Sequence, residues 1–148
     1  MPESNKIIAL ASDHGGFELK GRIAEFLKSE GYEVLDMGTH STDRVDYPDY
    51  GGALAEVVAT GKAKSGIGIC GSGIGMSIAL NRNPQIRAAL CHDVTSTKLA
   101  RGHNDANVLV LGARLIGIEV VLECIRTFLN TEFEGGRHAE RVKKLGKC

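Results

Sequence analysis

Apolar residues along this chain fall into short unbroken runs, separated by longer stretches in which they recur every three or four positions. The runs Lys6–Ser12, Tyr32–Asp36, Ser65–Cys70, Ile86–Leu90 and Ala106–Leu111 are strand-length and largely unalternated, the pattern of strands covered on both faces. Between the first two, residues 16–30 place Phe17, Leu19, Ile23, Phe26 and Leu27 near helical spacing, and Gly31 closes the segment. A polar loop through Gly38 to Thr42 leads to Pro48, which opens a helix ending near Gly61. Further helices are predicted at about 75–82, 94–102, 115–129 and 136–145. Strands alternating with helices predict parallel pairing through right-handed crossovers. The expected fold is α/β: a three-layer α/β/α Rossmann-like sandwich with a five-stranded parallel sheet and a C-terminal helix. Residues 1–148 read as a single domain, with no internal repeat, low-complexity stretch or linker.

Composition excludes several function classes. Lys plus Arg equals Asp plus Glu at 18 each, so no global basic field draws the chain to nucleic acid or a membrane surface. Aromatics are 5% and Trp is absent, leaving few platforms for stacking bases. No apolar run approaches the ~20 residues of a membrane span, and the opening MPESNK lacks the apolar core of a signal peptide. The expectation is a cytoplasmic protein. Cys70, Cys91, Cys124 and Cys148 are widely spaced without a CxxC pair, so free thiols are expected rather than a disulfide framework or zinc ribbon.

The chemistry concentrates at Ile69–Met76, where a cysteine and three alternate glycines join an apolar strand to a helix. Gly71, Gly73 and Gly75 permit a tight turn whose backbone N–H groups converge on an anion, with the positive end of a helix dipole behind them. A thiol at the rim of such a nest sits in a field favouring its thiolate, which makes Cys70 a candidate base or nucleophile. The competing interpretation is a small buried cysteine in an unspecific glycine turn. A dinucleotide fingerprint would follow the first strand rather than the third, and Gly75 is followed by Met76 and Ser77 rather than a Walker lysine.

In a parallel sheet, ligands bind outside the carboxyl ends of the strands. Asp13 and His14 follow the first strand, Cys70 and Ser72 the third, and His92 and Asp93 the fourth. Asp13 and Asp93 could equally be helix caps, His92 a satisfied surface histidine and Cys91 core. Cys70, Cys91, His92 and His103 are metal-ligating types, but their spacing matches no zinc pattern. His103 lies in the polar stretch Arg101–Asn107, and an imidazole is a side chain suited to proton transfer at cellular pH. Arg137 and Arg141, four positions apart on one helix face, form either a phosphate clamp or a solvated basic turn paired with Glu134 or Glu140.

Five segments in one order, SDHGGFELK, DYPDYG, GICGSGIGMSIALNR, RGHNDANVLVLGAR and EGGRHAERV, together resemble the type B ribose-5-phosphate isomerases, with their galactose-6-phosphate and allose-6-phosphate isomerase relatives. The resemblance runs nearly end to end. It implies interconversion of aldose and ketose sugar phosphates without metal or cofactor, a place in pentose phosphate metabolism, and a homodimer or tetramer whose sites include residues of both subunits. It makes Cys70 the base between carbons 1 and 2 and Ser72 the hydroxyl that shuttles a proton between the oxygens. The amides of Gly71, Ser72, Gly73, Ile74 and Gly75 become the anion hole. His103 opens the sugar ring with Asp13 as its polar partner, His14, Arg114, Arg137 and Arg141 hold phosphate, and Tyr47 and Asn104 touch substrate. The alternatives are a hexose-6-phosphate (allose or galactose) isomerase and a non-catalytic sugar-phosphate-binding module.

Overall fold

The computed structural model describes residues 6–148; the opening segment, relevant to the signal-peptide reading, lies mostly outside them. Five strands, β1 (Ile7–Ser12), β2 (Glu33–Asp36), β3 (Ser65–Cys70), β4 (Ala88–Leu90) and β5 (Val108–Gly112), form one sheet in the order β2-β1-β3-β5-β4. All four neighbouring pairs are parallel, with Leu10 opposite Asp36 and Ile67, and Gly68 opposite Val110. Six helices connect and cover them: α1 (Phe17–Ser29), α2 (Tyr47–Ala59), α3 (Ile74–Leu80), α4 (Val94–Gly102), α5 (Ile118–Asn130) and α6 (Arg137–Leu145).

The expected α/β sandwich is therefore the observed one, and its central strands show why they read as unbroken apolar runs. Alternate residues of β1, β3 and β5 feed two separate cores. Ile8, Leu10, Ile67, Ile69, Leu109 and Leu111 pack with Ile23 and Leu27 of α1 and Val121, Ile125 and Phe128 of α5. On the opposite face Ala9, Ala11, Val108 and Val110 meet Leu54 and Val58 of α2 and Met76 and Leu80 of α3. Small residues on that second face let α2 and α3 come close: a Cβ on Gly68 would stand 3.0 Å from Met76 Cγ.

Boundaries moved where side chains replaced the strand ladder. The fourth strand begins at Ala88 rather than Ile86 because Asn107 takes the Arg87 amide on its Oδ1 (2.7 Å) and donates its Nδ2 to the Gln85 carbonyl (2.9 Å). Asn81 then brackets Ala88, accepting its N–H at 2.8 Å and donating to its carbonyl at 3.0 Å, which satisfies backbone groups on this edge strand. The fifth helix starts at Ile118 rather than 115. Ala113 and Arg114 instead donate their amides to the carbonyls of Cys70 and Gly71, both at 2.9 Å, folding the end of β5 onto the glycine loop.

A buried lysine pairs two distant segments. Lys20, 2% exposed, reaches through α1 to Asp36 at the end of β2, with Nζ 2.7 and 2.6 Å from the two carboxylate oxygens. Asp36 also accepts the Gly38 amide at 2.9 Å, so one carboxylate ties α1 to the loop leading into α2.

Candidate active site

The carboxyl ends of β1, β3 and β5 meet over the glycine loop. Gly73 stands in the left-handed region, φ +79°, as the residue before the first turn of α3. A Cβ there would lie 2.5 Å from Leu90 Cδ1 and 3.0–3.1 Å from the backbone of Leu111 and Gly112, so both conformation and space require glycine. The turn brings the Gly73 N–H to 3.1 Å from Cys70 Sγ, while Ile74 donates its N–H to Ser72 Oγ at 3.2 Å. Cys70 is buried apart from 5% of its surface. Gly75 has no side chain because the Tyr47 ring lies there; a Cβ would sit 2.5 Å from Tyr47 Cζ. The Arg114 side chain covers the other flank, its guanidinium carbon 3.6 Å from the corresponding position on Gly71.

The first loop closes the same end. Asp13 Oδ1 accepts the Gly16 amide at 3.2 Å, so the capping alternative holds locally. The carboxylate nevertheless lies beside the nest, since a Cβ on Gly15 would be 3.3 Å from Asp13 Oδ1 and 3.5 Å from Gly71 N. His14 Nδ1 accepts the Val45 amide at 3.2 Å, holding the loop that delivers Tyr47. Cys70, Ser72, the glycine amides, Asp13, His14, Tyr47 and Arg114 are thus brought together. Such a constellation offers a polarisable base, an array of N–H donors for a developing oxyanion, and a guanidinium for an anionic substrate group.

Neighbouring candidates resolve as structure. His92 Nε2 accepts the Gly112 amide at 3.2 Å, a satisfied histidine at the end of β4. Asp93 caps α4 through the Ser96 amide at 2.6 Å, and the Ser96 amide and hydroxyl hold its carboxyl below the usual carboxylate range. Cys91 and Cys124 lie in the core, where burial pushes both thiols up; Cys148 is exposed, and all four cysteines are free.

His103, Asn104, Arg137 and Arg141 are elsewhere in the chain. Helix α4 starts beyond the carboxyl end of β4 and runs back across the sheet, so His103, its C-cap, precedes β5 at the amino end. The length of β5, about 13 Å at ~3.3 Å per residue, separates this end from the nest. Here His138, the one buried residue of α6, stacks on His103 with ring centroids 4.2 Å apart and planes 14° from parallel. Glu134 reaches both rings, its carboxylate oxygens 3.5 Å from His103 Nε2 and 4.0 Å from His138 Nε2. Burial, then the facing His103 and Arg137, push the His138 imidazole below its usual range against the pull of Glu134. Arg137 and Arg141 form no ion pair among the described residues, so Glu134 does not neutralise them as the basic-turn alternative supposed. The pairing of Glu134 with two histidines had no signal in the sequence beyond the i,i+4 spacing of Glu134 and His138.

Fold and nest define a class, the α/β proteins with an anion-binding turn at the carboxyl end of a parallel sheet. The model of the family described as Ribose/Galactose Isomerase matches residues 8–145. Ribose-5-phosphate isomerase B of Escherichia coli is 45% identical over 140 residues, covering 95% of this chain and 94% of that protein. A D-erythrulose-4-phosphate isomerase of Pectobacterium atrosepticum is 43% identical over 140 residues, covering 94% and 92%. The structure of Clostridium thermocellum ribose-5-phosphate isomerase B superposes with a TM-score of 0.94 at 52% identity over 95% of each chain. This chain belongs to the ribose/galactose isomerase family and is an isomerase of sugar phosphates. No helix among the described residues is long and apolar enough to cross a membrane.

Proposed function

We propose that this chain interconverts ribose 5-phosphate and ribulose 5-phosphate through an enediolate, with no metal or cofactor in the chemistry, in the cytoplasm. The observation that carries the reading is the junction of β3 and α3, where one turn presents the Cys70 sulfur, the Ser72 hydroxyl and the loop amides together. Cys70 Sγ takes the proton from carbon 2 of the open aldose as electrons move onto the carbonyl oxygen at carbon 1. The amides of Gly71, Ser72, Gly73, Ile74 and Gly75 stabilise that oxygen, an interaction of the kind whose single loss costs about 3 kcal/mol. Ser72 carries a proton between the two oxygens, and Cys70 returns its proton to carbon 1, giving the ketose. Tyr47 lies along the substrate, and His14 and Arg114 hold the phosphate, whose binding orients the reacting carbons.

His103, with Asp13 as polar partner, opens the sugar ring, while Asn104, Arg137 and Arg141 complete the substrate and phosphate contacts. Because these residues other than Asp13 belong to the amino end of the sheet, the reading requires a second copy that lays its amino end over the nest. A homodimer with two shared sites meets that requirement. Ile74 and Ile78, adjacent turns of α3 beside the nest and each about half exposed, supply an apolar face for the second copy.

The test is conversion of ribose 5-phosphate by purified protein in chelator, with allose 6-phosphate, galactose 6-phosphate and erythrulose 4-phosphate alongside. Fast turnover of the pentose is expected, reduced at least about 100-fold in Cys70→Ala. Turnover of another sugar phosphate alone would change the substrate. No turnover of any, with sugar phosphate still bound, would make the chain a binding module.

A further inference from the structure

His103, Glu134 and His138 form a second chemical cluster. Each offers one ligand atom, and the three atoms lie within 4.8 Å of one another. Two local features build it. The amide of Glu134 donates to the Gly102 carbonyl at 3.0 Å, anchoring the 134 segment to the end of α4. Gly102 has no side chain where the carboxylate arrives; a Cβ would stand 2.8 Å from Glu134 Oε2. The carboxylate is thereby brought against both imidazoles.

We propose that His103, Glu134 and His138 bind a first-row divalent transition cation, with Zn²⁺ as the type, and that its binding stops ring opening by occupying His103. The first half stands on the cluster alone; the second rests on the role given to His103 under Proposed function. Two imidazole nitrogens and a carboxylate oxygen are an established ligand set for zinc, leaving a fourth position open. Tetrahedral ligands at ~2.1 Å from the metal stand about 3.4 Å apart. The gap of 3.5 Å between His103 Nε2 and Glu134 Oε2 already matches; the 4.0 Å from His138 Nε2 is to the other oxygen, Oε1, so the carboxylate must turn for one oxygen to serve both edges. The near-parallel rings must turn for both nitrogens to address one ion. Glu134, with 62% of its side chain exposed, and His103, with 36%, have room to turn towards the more buried His138.

Charge selects the kind of ion. Arg137 and Arg141 act on His138 as neighbouring positive charges, with the Glu134 carboxylate acting in the opposite sense. A hard cation held by oxygen ligands and charge, such as Mg²⁺ or Ca²⁺, gains little there. Zn²⁺, Ni²⁺ and Co²⁺ bond imidazole nitrogen strongly enough to bind beside the guanidinium groups.

The experiment uses the full chain in a buffer free of phosphate and thiols, with Co²⁺ as visible probe in equilibrium dialysis. One Co²⁺ per chain is expected, with nitrogen- and oxygen-ligand absorption, displaced by Zn²⁺ and not by Mg²⁺. Affinity should fall by more than about tenfold in both Glu134→Gln and His138→Ala. Binding unchanged in both variants overturns the site, as does a thiolate charge-transfer band that vanishes in Cys70→Ser or Cys148→Ser, or no saturable binding below about 1 mM. Zn²⁺ should also slow conversion of cyclic ribose 5-phosphate by the wild-type chain but not by Glu134→Gln; equal inhibition of the two overturns the inhibitory half. Metal-free protein without any isomerase activity would refute the proposed function while leaving the cobalt result to judge the site.

Discussion

Gly73→Ala should be the most informative single substitution in the glycine loop, because two independent costs fall on one residue. The left-handed backbone, φ +79°, costs a residue with a Cβ about 1–2 kcal/mol. The added methyl also meets Leu90 Cδ1 at 2.5 Å and the backbone of Leu111 and Gly112 at 3.0–3.1 Å. Leu90 can swing aside, but β5 cannot, so an overpacking cost of about 1–3 kcal/mol is added. The total is about 2–5 kcal/mol. Gly61 supplies the control: its φ is +81°, but nothing lies within 4 Å of an added Cβ. Gly61→Ala therefore carries the backbone cost alone, about 1–2 kcal/mol. Urea unfolding of both variants at one protein concentration separates the terms. Isomerase activity should fall in Gly73→Ala, whose amide faces Cys70 Sγ at 3.1 Å, and persist in Gly61→Ala. If Gly73→Ala unfolds no more easily than Gly61→Ala, the close fit of loop against β5 is wrong.

Mixing Cys70→Ala with His103→Asn tests the shared site: random exchange makes half the dimers mixed, each with one intact site of two, so roughly a quarter of wild-type turnover of cyclic substrate should return. No recovery after verified subunit exchange would place Cys70 and His103 in the same site of one chain. Asp36→Ala strands the buried Lys20 ammonium and should cost about 3 kcal/mol, at the low end for a broken buried pair because the carboxylate is 37% exposed. Lys20→Met should cost less in the same unfolding assay, and the reverse order would refute the stranded-ammonium argument. Asp93, with its carboxyl held low by Ser96, contributes stability above the ordinary carboxylate value near 4 and loses it as pH falls through its depressed value. Asp93→Asn keeps a capping side chain without that titration, so the drop in melting temperature between pH 7 and pH 3 (about 4 units, spanning the carboxylate range) should be smaller in the variant. An equal drop would assign the acid sensitivity elsewhere.

What this amino-acid order determined by itself is local chemistry and layer count. Unbroken runs such as Ser65–Cys70 specify strands with two covered faces, and the cysteine and glycines at Cys70–Gly75 specify a nest, because dihedral permission and strand burial are properties of a few consecutive residues. The capping reading of Asp93 was legible for the same reason. Strand and helix ends were less so: Asn81 and Asn107 terminate or bracket β4 from positions distant in sequence, and periodicity carries no record of such partners. Nor does it reveal that Lys20 is buried, since only the end of β2 supplies Asp36 to pair with it. The tertiary structure alone decided which candidates share a site. Because α4 must run back across the sheet to reach a parallel β5, it carries His103 away from Cys70 and sets it against Glu134 and His138.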